Sequence, residues 1–389
     1  MLSHVTSSVD VKDKAIISGI GQTEITRGSK ESTNSHGARA IMTAINDAGI
    51  NASDVDGIVV YGTEDTAENE MARQLGFGDL SYFARVPGGG GAGCALVGHA
   101  TMAIACGQAS NVIVYRARKG TDRGSQHWLG GPERAAGERA WIRPFGMVRP
   151  VDEVAVLTRR YMQDYGITEE HLANVALACR KHGAANPLAL KREPISVADH
   201  HNSRMVSDPL RLLDCCIESD SAAAVVVSAA NRANDCPSTP VYVHAFAQGI
   251  SAGSTTMATF FGEDPLRTPS WACARNLWDK SDLAPADIPV AQLDDSFTSL
   301  VLLALEGYGF CERGGAGDFS DDGNLEHGGK LPINTGGGGL SEGFLHGFNH
   351  VLEGVRQMRG ISSSQVEGAA SCFVGAADAV PTSALVLRK

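Results

Sequence analysis

Two runs of four glycines constrain this chain more than any other feature. Gly88 to Gly91 stand in Pro87-Gly-Gly-Gly-Gly-Ala-Gly-Cys94. They lead straight into the helical apolar pattern of Ala95, Leu96, Ala100, Met102, Ala103 and Ile104. Glycine costs about 1 kcal/mol relative to alanine in regular structure. A run of it at a helix entrance marks either a flexible turn or close approach of the backbone to something else. Gly336 to Gly339, in Asn334-Thr-Gly-Gly-Gly-Gly-Leu-Ser-Glu-Gly343, also precede a helix-like stretch. Two such loops, far apart in one chain, predict a duplicated site.

Length agrees with duplication, since 389 residues fit two domains or one doubled fold better than one ordinary core. The net charge of -11 argues against nucleic acid or an acidic membrane surface as a partner. It leaves room for a local basic patch, and Arg116, Arg118, Lys119 and Arg123 form one candidate for an anionic ligand. The nine cysteines are scattered, with no C-x-x-C pair and no zinc-like spacing, so no metal site is expected. The first residues are polar rather than signal-like, and no apolar run is long enough to span a bilayer. The expectation is a cytoplasmic protein with reduced thiols and no membrane partner.

Residues 1–13 read as a disordered lead. Ala15 to Gly21 form a strand, Ser35 to Ala48 a helix with Gly49 as its C-cap, and Gly57 to Tyr61 a buried strand. Residues 66–77 read as helical, and Asn111 to Tyr115 as another continuous apolar strand. Strands without polar alternation, separated by helices, predict a parallel α/β sheet covered on both faces. Residues 117–222 form a long insertion, with helices over 151–165 and 168–182, of the kind that carries binding surfaces. The chain returns through a strand near 223–228. From Val241 the order starts again: Val241-Tyr-Val-His-Ala245 is a strand, and Leu283-Ala-Pro-Ala-Asp-Ile288 resembles Ile50-Asn-Ala-Ser-Asp-Val55. The halves are therefore 14–116 with 223–240, and 241–389.

Several segments together resemble the thiolase superfamily. They are Asn334-Thr-Gly-Gly-Gly338, Asp294-Asp-Ser-Phe-Thr298 before an apolar helix, Leu213-Asp-Cys-Cys216 and Asp220-Ser-Ala-Ala-Ala224. Val114-Tyr-Arg-Ala117, Arg143-Pro-Phe-Gly146 and Arg160-Tyr-Met-Gln-Asp-Tyr-Gly166 place the chain nearest the sterol-carrier-protein-type thiolases, beside the lipid-transfer and steroid side-chain-cleaving aldolase members. The resemblance runs from about residue 14 to 389. It implies an α/β thiolase fold, with duplicated βαβ halves in five αβαβα layers, and a homodimeric core. It also implies an acyl-CoA substrate, no cofactor beyond that CoA, and a small partner protein with an oligonucleotide-binding-type fold and a zinc ribbon.

In thiolases a nucleophilic cysteine opens the helix after the first glycine-rich stretch. Counting back from Gly107 by the family's spacing lands on Gly90, so the nucleophile is absent. The family's Gly-His-Pro is Gly343-Phe344-Leu345 here, so its histidine is gone as well. Claisen chemistry needs a thiolate to hold the acyl group. Cys94, one turn past the expected position, is either a displaced nucleophile or buried filler. Cys372 is the other candidate.

Retro-aldol cleavage of a β-hydroxyacyl-CoA needs no acyl-enzyme. It needs a base for the hydroxyl proton and donors for the enolate, and backbone N–H groups of glycine loops suit the latter. The expected oxyanion loops are Gly90 and Gly91, with Gly338 and Gly339 as the opposite wall. Losing the cysteine also makes room for a bulky tertiary alcohol. Resembling aldolases carry tyrosine where this chain has Asp294 and Phe344. The base is therefore sought in Asp294 or Asp295, one of them raised in pKa by burial. The alternative for that pair is N-capping of the following helix by Asp295. His346 is a candidate to replace the lost histidine, with His350 a turn beyond. Glu342 either orients His346 or is solvated. Cys94 and Phe344 are expected at the pocket. Acyl transfer by a cysteine and a non-catalytic lipid- or CoA-binding role are the alternatives to lyase chemistry.

Overall fold

The computed structural model describes residues 10–121, 139–253, 257 and 262–389. Arg123 and residues 1–9 of the expected lead lie outside these. Of that lead, Asp13 is tied to the far end of the chain. Its N–H donates to Val243 O at 3.2 Å, and its carboxylate takes the Arg388 guanidinium.

In chain order the N-terminal half holds β1 (Ala15–Gln22), α1 (Thr33–Ala48), β2 (Gly57–Tyr61), α2 (Glu68–Leu75), β3 (Tyr82–Val86), α3 (Gly93–Ala105) and β4 (Asn111–Lys119). The insertion carries helices α4 (Arg139–Ile142), α5 (Pro150–Tyr165), α6 (Glu169–Ala185) and α7 (Val197–Asn202), then the short pair β5 (Met205–Ser207) and β6 (Leu210–Arg211). The chain then enters β7 (Asp220–Ala229) and β8 (Val241–Gly249). It continues with α8 (Pro269–Trp278), β9 (Ala291–Leu293), α9 (Thr298–Gly307), α10 (Ala316–Ser320), α11 (Gly338–Ser341), α12 (Phe348–Arg359), β10 (Ser371–Gly375) and β11 (Thr382–Arg388). Local signals set many of these ends. Ser32 accepts the Ser35 N–H at the start of α1, and Gly49 closes the helix at φ 65°.

The strands run in the order β3-β2-β4-β7-β1-β8-β11-β10-β9. The sheet is mixed, not parallel as expected. β2 lies parallel to β3 and β4, and β9 to β10, while every other pair is antiparallel. A continuous apolar run reports burial on both faces, not direction, and β7 is such a run antiparallel to both neighbours. The duplication is visible in the pairing: β1, β2, β4 and β7 are joined as β8, β9, β10 and β11 are. The two halves meet where β1 and β8 pair over Ile16–Tyr242 and Ile17–Val241.

Side-chain alternation builds the layers. Ile58, Val60, Ile113 and Val226 face α1 through Ala40, Ile41, Ala44 and Ile45. Their neighbours Val59, Val112, Val114 and Val225 face inward. There they meet Leu96, Val97 and Ala100 of α3 and Val351, Leu352 and Val355 of α12, with Val243, Leu385 and Leu387 of the other half beyond. Helices α8 and α9 cover the far face of the C-terminal half, and α5 and α6 of the insertion pack into that same core through Val154, Leu157, Leu172 and Val175. The order is helix, sheet, helix, sheet, helix. Fully burying a residue such as Leu96 or Val355 contributes about 1.5–3 kcal/mol.

Candidate active site

The first glycine run and the segment that follows the second approach each other beside Asp294. The first sits at the entrance of α3, where the Ala377 N–H donates to Gly90 O at 3.3 Å. A Cβ added to Gly347, just past the second run, would lie 3.2 Å from Asp294 Oδ2 and 3.9 Å from Gly90 O. Asp294 follows the end of β9, and its N–H donates to Gly375 O at the end of β10. The site therefore lies beyond the carboxyl ends of parallel strands, where open α/β sheets place their ligands.

The adjacent carboxylates have different surroundings. Asp294 Oδ1 accepts the Ser296 N–H at 3.0 Å and, closer still, the Ser296 hydroxyl. Its Oδ2 is buried without a partner. Burial pushes the Asp294 carboxyl up to about 6, with neighbouring Asp295 adding to the rise while His350 and Ser296 oppose it. Asp295 is saturated. Its Oδ1 accepts Gly339 N–H at 2.7 Å and His350 Nε2–H at 3.1 Å, and its Oδ2 accepts Leu340 N–H at 3.1 Å. It does cap a helix, but α11 across the site rather than the one that follows it. For His350, burial works against the charged ring, yet Asp295 and Asp294 outweigh it and the net shift is upward.

That cap corrects the second oxyanion loop. The Gly339 N–H is spent on Asp295, so it is not aimed at a ligand. Gly338, at φ 60°, leaves space for the Asp295 carboxylate, which an added Cβ would approach to 2.2 Å. Gly91 is likewise structural, because its N–H donates to Gly88 O at 3.2 Å. Of the four glycines expected at the loops, only Gly90 is on the wall of a described cavity. A Cβ on Gly91 would stand 1.7 Å from Pro381 O. Gly91→Ala is therefore expected to lower the melting temperature sharply or to yield no folded protein, which a thermal melt reads directly.

The cysteine candidates are placed away from chemistry. Cys94 is fully buried in the middle layer, its Sγ–H donating to Val374 O at 3.4 Å, and burial raises its thiol well above 9.0. It does not line the described cavities, contrary to its expected place at the pocket. Cys372 is fully buried in β10, and burial raises its thiol too. A nucleophile needs an exposed, lowered thiol. Cys94→Ala is expected to retain activity, and native protein to keep Cys94 unalkylated by iodoacetamide, as peptide mass spectrometry would show.

Two cavities adjoin at Gly89 and His346, which line both. The larger, about 310 Å³, has a lining of mixed polarity that includes Tyr61, Thr63, Arg116 and Lys119. The smaller, about 260 Å³, is mostly apolar and lined by Gly90, Ser296, Phe297, Phe344 and Val380. Phe344 thus stands at the pocket as expected, under the Arg118 guanidinium. His346 stacks on Tyr61, with ring centres 5.3 Å apart, and meets the Phe344 ring edge-on. Glu342 neither orients His346 nor is solvated. It is buried, which raises its carboxyl, and it accepts from Asn349, Asn186 and Arg356. The sequence reading missed Tyr61 and Glu64. Arg116 and Arg118 were visible in it only as a basic patch.

These features define a thiolase-fold protein in which no cysteine lines either of the two cavities. Residues 251–387 match the family model described as "Thiolase C-terminal domain-like". The chain is 42% identical over 381 residues to a 17-hydroxy-3-oxo-4-pregnene-20-carboxyl-CoA lyase of Mycobacterium tuberculosis, covering 96% of this chain and 99% of that one. It is 43% identical over 382 residues to a steroid side-chain-cleaving aldolase of Thermomonospora curvata, covering 96% and 97%. The solved structure described as "Ltp2-ChsH2(DUF35) aldolase" superposes with a TM-score of 0.92 at 41% identity, covering 97% of this chain and 98% of that one. The chain belongs to the thiolase superfamily, in the group of the steroid side-chain-cleaving aldolases. Among the described residues no helix is long and apolar enough to cross a membrane.

Proposed function

We propose that this protein is a carbon–carbon lyase that cleaves a β-hydroxyacyl-CoA by a retro-aldol step, on a steroid-like or similarly branched acyl group. The observation that carries the reading is Asp294: a buried carboxylate with one unpartnered oxygen, poised near neutrality, beside the glycine that replaces a nucleophilic cysteine. Ser296 lines the apolar cavity and donates its hydroxyl to Asp294, so it can accept the substrate's hydroxyl proton and pass its own to the carboxylate. The C–C bond then breaks. The hydroxyl carbon leaves as a ketone, and the bond's electron pair remains on the thioester as an enolate. A proton returned to Cα completes the cycle without a covalent intermediate. His346, shared by both cavities, donates toward the developing enolate oxygen. Two lobes meeting at this point suit a substrate with two arms, acyl and pantetheine.

The reading uses no cofactor beyond the CoA of the substrate, and no nucleic acid or membrane. The protein acts in the cytoplasm as a homodimer, with a smaller zinc-ribbon and oligonucleotide-binding-fold protein alongside. The name of the superposed aldolase, which joins two proteins, supports a partner. The test is incubation with a branched β-hydroxyacyl-CoA, with and without the co-expressed partner. Ketone and shortened acyl-CoA should appear in equal amounts, with no acyl adduct on the intact protein by mass spectrometry. An acyl-enzyme, or CoA-dependent thiolysis, would replace this reading with acyl transfer.

A further inference from the structure

The wall between the two cavities holds a residue in an unusual backbone state. His346 sits at φ 52°, in the left-handed region that side chains other than glycine rarely adopt. Such outliers persist where surrounding structure over-determines them, and they cluster at functional sites. Here Tyr61 lies parallel to the imidazole at 7°, and Phe344 meets it at 73°. The third restraint is polar. Arg116 Nη2 lies 3.0 Å from His346 Nδ1. Arg116 is itself buried, and its Nη1 donates to Glu64 Oε1 at 2.5 Å and to Ala117 O at 2.8 Å. Glu64 is buried too, and its Oε1 also accepts the Ala117 N–H at 3.1 Å.

A guanidinium has only donors. Across the Arg116–His346 contact, Nδ1 must therefore supply the lone pair. A ring that accepts at Nδ1 is neutral and carries its proton on Nε2. We infer that Glu64 and Arg116 form a positioning pair that locks His346 as the Nε2–H tautomer, presenting a neutral hydrogen-bond donor at the junction of the two cavities. Glu64 fixes the guanidinium, the guanidinium fixes the imidazole proton, and the Tyr61 ring fixes the plane. The donor is then ready before the enolate forms, with no rearrangement during reaction. Arg116 also lines the larger cavity, but its part in the chemistry is indirect. It acts through His346, and the inference rests on the reading of His346 as the enolate's donor.

The test combines imidazole ¹⁵N NMR on the full-length, histidine-labelled protein with steady-state kinetics. The spectrum of His346→Gln identifies the His346 resonances by their loss. Removing Arg116 alone strands a buried Glu64 carboxylate and risks the fold. The working variant therefore replaces both members, Glu64→Leu with Arg116→Leu, and circular dichroism confirms that it is folded. Arg116→Lys is the conservative companion. The wild type is expected to show Nε2 protonated and Nδ1 bare. The double variant is expected to lose that pattern to mixed forms, with kcat down about 100-fold and KM little changed. Arg116→Lys is expected to keep the tautomer and recover at least about tenfold of the loss. A wild-type spectrum with the proton on Nδ1, or a double variant that keeps both tautomer and rate, overturns the lock. A double variant that loses the tautomer at full rate, together with fully active His346→Gln, instead overturns the role given to His346.

Discussion

Asp294→Asn is expected to cut kcat by roughly 100- to 10,000-fold, the range that a positioned base contributes. The amide keeps an acceptor for Ser296 but cannot take a proton. Wild-type kcat/KM should climb as pH rises through about 6, because the base works only when ionised and burial holds its carboxyl there. The residual activity of the variant should lack that limb. Stability moves the other way. A carboxyl whose pKa is raised from 3.8 to about 6 makes the folded state bind more protons than the unfolded one. Stability is then fully present below the lower value and is lost as pH rises through the higher. The gap corresponds to about 3 kcal/mol at neutral pH and above, at 1.36 kcal/mol per pH unit. Asp294→Asn removes this loss, so the variant should melt higher than wild type at pH 8 and lose the advantage near pH 3. A variant with unchanged turnover would remove Asp294 from the mechanism.

Asp295→Ala should show the reverse pattern. Asp295 holds the N–H groups of Gly339 and Leu340 and the ring of His350. Truncation leaves four buried donors without this partner, the Cys179 thiol among them and one on a histidine whose charged form Asp295 favours. Breaking a buried ionic contact of this kind costs roughly 3–5 kcal/mol. Chemical denaturation should show the midpoint falling accordingly, while the ascending pH limb set by Asp294 persists in whatever protein remains folded. Neighbouring substitutions with opposite signs on stability separate a catalytic carboxylate from a structural one. Equal stability losses from both would contradict that separation.

Much of the fold was legible because its signals are local. The apolar runs at Gly57–Tyr61 and Asn111–Tyr115 and the cap at Gly49 each depend on a few consecutive residues. Strand direction was not legible, because burial on both faces produces the same run in parallel and antiparallel strands. β3 escaped notice because it is an edge strand, with Phe83 71% exposed and Arg85 turned to Glu68. Arg116 was visible as a cation, but its partner lies 230 residues away and follows no period.

The amino-acid sequence by itself determined that the fold is duplicated and that each half carries one run of four glycines. These are statements about residue type and spacing. Only the tertiary structure decided which of two adjacent aspartates keeps an unpartnered carboxylate oxygen, and which glycine N–H groups are already spent. Asp294 and Asp295 are the same residue type on the same short segment, and they differ in how many donors reach them. The donors to Asp294 come from Ser296 two positions on, whereas those to Asp295 come from segments more than 40 positions away, as in the 44-residue separation from Gly339. Burial and hydrogen bonding, not residue identity, set the free energy of a proton on each carboxylate.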